Sequence, residues 1–111
     1  MSLQQEIAQA QLDAYNAQDL DAYCSFFADD LVVSDLNGGV TIQGIEAFRA
    51  KYAQVFADNP ENRVELKNRI ALANTVIDHG KVIRRAGGET FEVAAIYTIA
   101  GGKIARVDFV K

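Results

Sequence analysis

The sequence contains few of the residues that form disulfide bonds or bind metal ions in small proteins. It contains one cysteine, one histidine, one proline and no tryptophan among 111 residues. Cys24 has no second cysteine to pair with, and its place in an apolar helical pattern indicates a small buried residue. His79 alone cannot build a multi-histidine zinc site. Glycine-rich phosphate loops, GxSxG and HExxH are also missing, so we predict no cofactor and no metal.

Positive charge and long hydrophobic runs are scarce as well. Eleven lysines and arginines against 15 acidic residues leave a net charge of −4, which argues against a nucleic-acid partner. No apolar run approaches the roughly 18 residues that a bilayer span needs. The N-terminus lacks the pattern of a signal peptide, so we expect no membrane partner and a cytoplasmic protein. The length predicts one domain over residues 1–111.

Helical periodicity dominates the first half of the sequence. Apolar residues recur at three- and four-residue steps, and Asp19 is a suitable N-cap for a second, short helix that extends to Phe27. The predicted elements are helices over 3–15, 19–27 and 44–58, a turn at 29–30, and a hairpin of strands 31–36 and 40–42.

From Asn62 onward the period changes to two, which is typical of β-strands. Strands are predicted over 62–72, 75–85, 90–100 and 103–110. In the first of them the alternation assigns Arg69 to the solvent face. Glycine pairs at 87–88 and 101–102 predict tight turns and therefore an antiparallel meander. Together these elements predict an α+β fold in which a strongly curved antiparallel sheet wraps around three helices and leaves a cavity open at one end.

Asp35 is the most informative polar residue. Strand alternation places it on the same face as Leu31 and Val33, where a carboxylate is costly unless it is hydrogen-bonded or used. Desolvation there would favour a general base near neutral pH. The alternative is an exposed aspartate at a strand end, before the turn that begins at Asn37.

Several segments together resemble a known family. They are 16–21 (NAQDLD), 27–30 (FADD), Val33 and Asp35, then Gly44, Ala47, Arg49, Tyr52 and Ala53, and the closing hairpin 97–104. This arrangement resembles the ketosteroid isomerase branch of the nuclear-transport-factor-two-like superfamily, to which SnoaL-like polyketide cyclases are related. The resemblance implies a cystatin-like conical α+β barrel with a deep apolar pocket and a homodimer formed through the outer sheet face.

The functional residues of that family carry over unevenly. The resemblance places its catalytic general base on Asp35 and its supporting tyrosine on Tyr52. The main oxyanion tyrosine falls on Gln11, and the protonated aspartic acid falls on Ala95. Each oxyanion donor is typically worth about 3 kcal/mol, so these two losses argue against a true steroid Δ-isomerase. The Gln11 amide remains a candidate donor.

A pocket on the concave side of the sheet would use residues from both halves of the chain. The residues predicted to line it are Tyr15, Phe48, Asp78, Val93, Ala95, Tyr97 and Phe109. A two-residue turn at 87–88 pairs Val82 with Val93 and points Asp78 inward and His79 outward, although a one-residue slip would reverse this. Arg84 is interpreted as part of a solvated hairpin end.

Two functions fit these observations. The first is a cofactor-free isomerase, cyclase or hydrolase that acts on an apolar carbonyl compound or epoxide, with Asp35 as base and Tyr52 and Gln11 as donors. The alternative is a non-catalytic ligand-binding or dimeric assembly module. An open cavity of a few hundred Å3 would favour the first, and a cavity filled by aromatic side chains the second. Apolar residues on both sheet faces, such as Ile77 opposite Val76, further predict a homodimer.

Overall fold

A computed structural model describes residues 2–111 and contains three helices and a six-stranded sheet within them. The elements are α1 (Leu3–Asn16), α2 (Leu20–Ser25), β1 (Phe27–Asp35), β2 (Val40–Gln43), α3 (Ile45–Asp58), β3 (Arg63–Leu72), β4 (Thr75–Ile83), β5 (Thr90–Ala100) and β6 (Lys103–Val110). The strand order is β2-β1-β6-β5-β4-β3, and the curved sheet does not close. The predicted α+β class is confirmed. Within residues 2–111, no helix has the length and apolar character required to cross a bilayer.

Local sequence signals fix the helix starts. Ser2 caps α1 in a reciprocal box, since its Oγ accepts from the Gln5 backbone and its own N–H donates to Gln5 Oε1 at 3.0 Å. Asp19 caps α2 as predicted, with its Oδ1 3.1 Å from the Ala22 nitrogen. Cys24 is buried in α2, as its apolar setting indicates.

The junction between α2 and β1 differs from the prediction. Phe27 is not helical, and residues 29–30 are not a turn, because all of them belong to β1. The cause is a long-range pairing, in which Phe27 lies opposite Ile104 in a parallel register. The Ile104 N–H donates to the Phe26 carbonyl at 2.9 Å. This parallel β1–β6 pair joins the N-terminal hairpin to an otherwise antiparallel sheet.

The assignment of Arg69 to the solvent face is wrong. The pairing of β3 with β4 shifts between Leu66 and Asn68, so Lys67 is the extra residue of a β-bulge. Beyond the bulge every side chain of β3 changes face. Arg69 therefore lies opposite the buried Asp78 on the concave face.

The register of β4 and β5 also differs, by two residues. Asp78 pairs with Ala95 and Val82 with Phe91, because residues 84–89 form a longer connection than a two-residue turn. An even shift preserves the faces of both strands. Asp78 consequently points inward and is buried, whereas His79 is exposed on the convex face beside Glu92.

Candidate functional site

A cavity of about 300 Å3 lies between the helices and the concave face of the sheet, a volume that suits a small molecule. The side chains that the sequence predicts for this site and that line the cavity are Gln11, Tyr15, Asp35, Tyr52, Asp78, Val93, Ala95, Tyr97 and Phe109. The cavity is open rather than filled by aromatic side chains.

Phe48 is the predicted lining residue that the structure places elsewhere. It is 2% exposed and packs in the aromatic cluster beneath the cavity. Its ring centroid lies 4.5 Å from that of Phe27 and 4.7 Å from that of Tyr52. One turn of α3 separates Phe48 from Tyr52, so Tyr52 reaches the cavity while Phe48 supports it from below.

A buried ion pair lies in the sheet wall of the cavity. Arg69 Nε and Nη2 donate to the two carboxylate oxygens of Asp78 at 2.7 and 2.9 Å. The third arm, Nη1, donates to Gln9 Oε1 at 2.8 Å. The hydrogen bond to Asp78 raises the pKa of Arg69, so the guanidinium stays charged. Because both of its oxygens are engaged, the Asp78 carboxylate acts as a fixed negative charge rather than a free base.

Gln11 is 3% exposed and holds the hydroxyl of Tyr97 in place. Its Nε2 donates to the Ala8 carbonyl at 3.0 Å and to Tyr97 Oη at 3.2 Å. Both amide hydrogens are therefore used within the chain, so the predicted donation from Gln11 to a ligand would require one of these two hydrogen bonds to break. Its position one helical turn beyond Ala8 on α1 explains this, because the amide folds back onto its own helix.

The hydroxyl of Tyr97 is free to donate a hydrogen bond, because Gln11 contacts it as a donor and does not take up its hydrogen. Its oxygen accepts from Gln11, and within residues 2–111 its own hydrogen has no acceptor. Burial raises the pKa of Tyr97 well above its ordinary value, and the Asp78 carboxylate adds to the shift. Tyr97 is therefore protonated at neutral pH and can donate a hydrogen bond into the cavity. Burial similarly raises the pKa of Tyr52 to about 12.

Asp35 lies at the mouth of the cavity and not at its base. It faces the concave side beside Phe109, its partner on β6, and borders both the cavity and an adjoining shallow depression. The side chain is nevertheless exposed, because Asp35 is the last residue of β1 and the chain turns away at Asn37, where φ is 60°. The predicted face is thus correct, and the exposure agrees with the alternative interpretation of Asp35 as an aspartate at a strand end. Within residues 2–111 no side-chain hydrogen bond occupies its carboxylate, which is available as a base.

The cavity also has cationic residues in its lining that the strand and helix patterns do not indicate. They are Lys51, Arg84 and Lys111, so the interpretation of Arg84 as a solvated hairpin end is wrong. Arg69 could have been found from the two-residue connection between Leu72 and Thr75, which pairs Arg69 directly with Asp78. Within residues 2–111 no group of three histidine, cysteine or acidic side chains is placed to hold a metal ion.

Comparison with known proteins relates this geometry to others. The family model described as a SnoaL-like domain matches residues 8–107. An uncharacterised cystatin-fold protein from Novosphingobium aromaticivorans is 36% identical, with a TM-score of 0.89 over 100% of this chain and 99% of its own. A proposed polyketide cyclase from Sinorhizobium meliloti is 26% identical, with a TM-score of 0.80 over 95% and 94% of the two chains.

A proposed ketosteroid isomerase from Kribbella flavida shares the fold at a lower identity of 13%, with a TM-score of 0.81 over 96% of this chain and 76% of its own. A search of curated proteins finds no match.

Proposed function

From the premise that the chain belongs to the SnoaL-like domain family, we propose that its cavity binds a small apolar carbonyl compound and removes a proton next to the carbonyl without a cofactor. The observation that carries this proposal is the pairing of a free carboxylate, Asp35, with a protonated donor, Tyr97, on the wall of one apolar cavity. These are the two groups that enolisation requires.

The proposed step balances with the residues of the chain alone. The Asp35 carboxylate takes a proton from the carbon next to the carbonyl, and the electron pair moves to the carbonyl oxygen. Tyr97 Oη donates to that oxygen and stabilises the enolate, with Gln11 holding the hydroxyl and Tyr52 as a second donor. Return of the proton to the same or another carbon regenerates Asp35 and completes an exchange or an isomerisation.

Deuterium exchange tests this proposal. The probe is 2-tetralone in D2O, and loss of its α-proton signals is followed by NMR. We expect Asp35→Asn to slow the protein-dependent exchange by about 100-fold or more, since a positioned base typically contributes that much. Asp30→Asn is the matched control, because Asp30 is exposed on the same strand, and it should stay within twofold of the wild type.

Protein-dependent exchange that is equally fast in the wild type and in Asp35→Asn would contradict the role of Asp35. A wild type that binds 2-tetralone but leaves its exchange at the buffer rate would favour the second candidate, a non-catalytic binding module. The exposure of Asp35 and the replacement of an oxyanion donor by Ala95 favour that candidate.

We further propose that the chain forms a single domain, and that two chains associate as a homodimer in the cytoplasm. The support for the dimer is an apolar row on the convex face, where Ile70, Ile77 and Ile96 lie side by side on β3, β4 and β5. Ile70 is 60% exposed, and Leu72 beyond it is 77% exposed. If two copies of the chain associate through this face around a two-fold axis, the apolar row of each copy is covered by the other copy.

A further inference from the structure

The charges around the cavity do not match the charge of the whole chain. Three cationic side chains, Lys51, Arg84 and Lys111, contribute to its lining, against two carboxylates, Asp35 and Asp78. Asp78 is already neutralised by its ion pair with Arg69. The cavity therefore has an excess of positive charge in a chain whose net charge is −4.

Arg84 is the cation whose position is fixed. Its guanidinium lies over the ring of Phe91, 5.3 Å from the centroid, and its Nη1 donates to Asn62 Oδ1 at 3.2 Å. Asn62 is itself 2% exposed and donates to Tyr15 Oη at 2.5 Å. The guanidinium is thus half-buried and held on two sides by groups that carry no charge.

Within residues 2–111, Arg84 is also one of two arginines that have no anionic partner. Ion pairs within residues 2–111 involve four arginines, namely Arg49, Arg63, Arg69 and Arg106. Arg85 has none, but it is exposed in the 84–89 connection. A half-buried, positioned guanidinium without a carboxylate is a site at which an anion gains charge-assisted hydrogen bonds.

We propose that Arg84 recognises an acidic group on the ligand, so that the cavity takes an apolar molecule that carries a carboxylate. The buried Gln11 and Asp78 place Tyr97 at the inner end of the cavity, whereas Lys51, Phe91 and Lys111 are exposed. The apolar body enters towards Tyr97, and the carboxylate stays near Arg84. This inference rests on the proposed function only in requiring that the cavity binds a small molecule.

Two isosteric probes test it by calorimetry, 2-naphthoate and the uncharged 2-naphthamide. For the wild type at low ionic strength, we expect 2-naphthoate to bind at least about tenfold more tightly than 2-naphthamide. One charge-assisted hydrogen bond supplies a difference of this size. Arg84→Gln should reduce this preference to within twofold. Arg85→Gln is the matched control and should keep the full preference.

Arg84→Lys keeps the positive charge and shows whether the effect of Arg84→Gln comes from misfolding. We expect it to bind the acid at least threefold more tightly than the amide. Equal binding of both probes by the wild type would overturn the inference while leaving the proposed binding cavity intact. A preference that survives in Arg84→Gln would overturn the assignment to Arg84. If neither probe binds at millimolar concentration, the inference fails, whereas the proposed function is judged separately by the deuterium exchange of 2-tetralone.

Discussion

The side chains of Arg69 and Asp78 are 12% and 9% exposed, so their charges are almost fully removed from water. Two short hydrogen bonds between them and a third to Gln9 compensate for this desolvation. The pair also fixes the electrostatic surroundings of Tyr97, because the carboxylate helps to keep the hydroxyl protonated. It therefore serves the cavity as well as the sheet.

Asp78→Asn should destabilise the protein by about 3 kcal/mol, because it leaves the Arg69 charge buried without its partner. The measurement is the free energy of unfolding from urea denaturation followed by circular dichroism. Glu65→Gln is the control, since the Arg63–Glu65 pair is 3.7 Å apart and both side chains are exposed. That change should cost no more than about 0.5 kcal/mol. A loss below 1 kcal/mol for Asp78→Asn would contradict the importance of the pair.

Asp35 shows how far the sequence leads at this scale. The alternation of β1 correctly predicts its face, because side-chain direction depends only on neighbouring residues. Its burial depends on how far β2 and the chain end at Lys111 cover the edge of the sheet, which the local pattern does not contain. Gln11 is a similar case, since its hydrogen bond to Tyr97 joins residues 86 positions apart.

At the scale of elements, features that depend on residues close in sequence are predicted correctly. Pairings between strands that are distant in sequence are not. The N-cap of α2 follows from Asp19, and the meander β3–β6 follows from short connections, two of which contain a glycine pair. The parallel pairing of β1 with β6 brings together residues that are distant in sequence, and nothing near Phe27 indicates it.

The bulge in β3 has the largest consequence of these differences. One unpaired residue, Lys67, brings Arg69 to the concave face beside Asp78 and turns Ile70 and Leu72 outward. Without the bulge, the register that begins at Arg63 would place Asn68 opposite Asp78, and the convex face would lose its most exposed apolar side chains. The ion pair of the site and the apolar outer row thus have one structural cause.

For the whole molecule, the family predicted from the sequence is confirmed, and the fold with it. The motifs of the family occur along most of the chain, so they predict the order in which its helices and strands are connected. Activity does not follow in the same way, because this fold hosts different functions on the same frame. Of the two side chains on which the proposals depend, Arg84 lies outside the motif positions that carry the resemblance, whereas Tyr97 begins the closing hairpin 97–104 without being assigned a functional role by it.

The proposed dimer is a prediction at this scale. Light scattering at micromolar concentration should give twice the chain mass of 12.1 kDa. Ile77→Lys, in the middle of the isoleucine row, should give the single-chain mass, because a charge there is buried on association. Glu89→Lys, at an exposed position of the 84–89 connection, is the control and should remain dimeric. A wild-type mass of one chain would contradict the proposal.

The most direct test of the account is a crystal structure of the wild-type protein with 2-tetralone bound. We expect the ligand inside the cavity, with its carbonyl oxygen about 2.7–3.1 Å from Tyr97 Oη. The carbon next to the carbonyl should lie about 3–3.5 Å from an Asp35 carboxylate oxygen. A ligand bound in the cavity with its carbonyl turned away from Tyr97, or bound only outside the cavity, would contradict the proposed function.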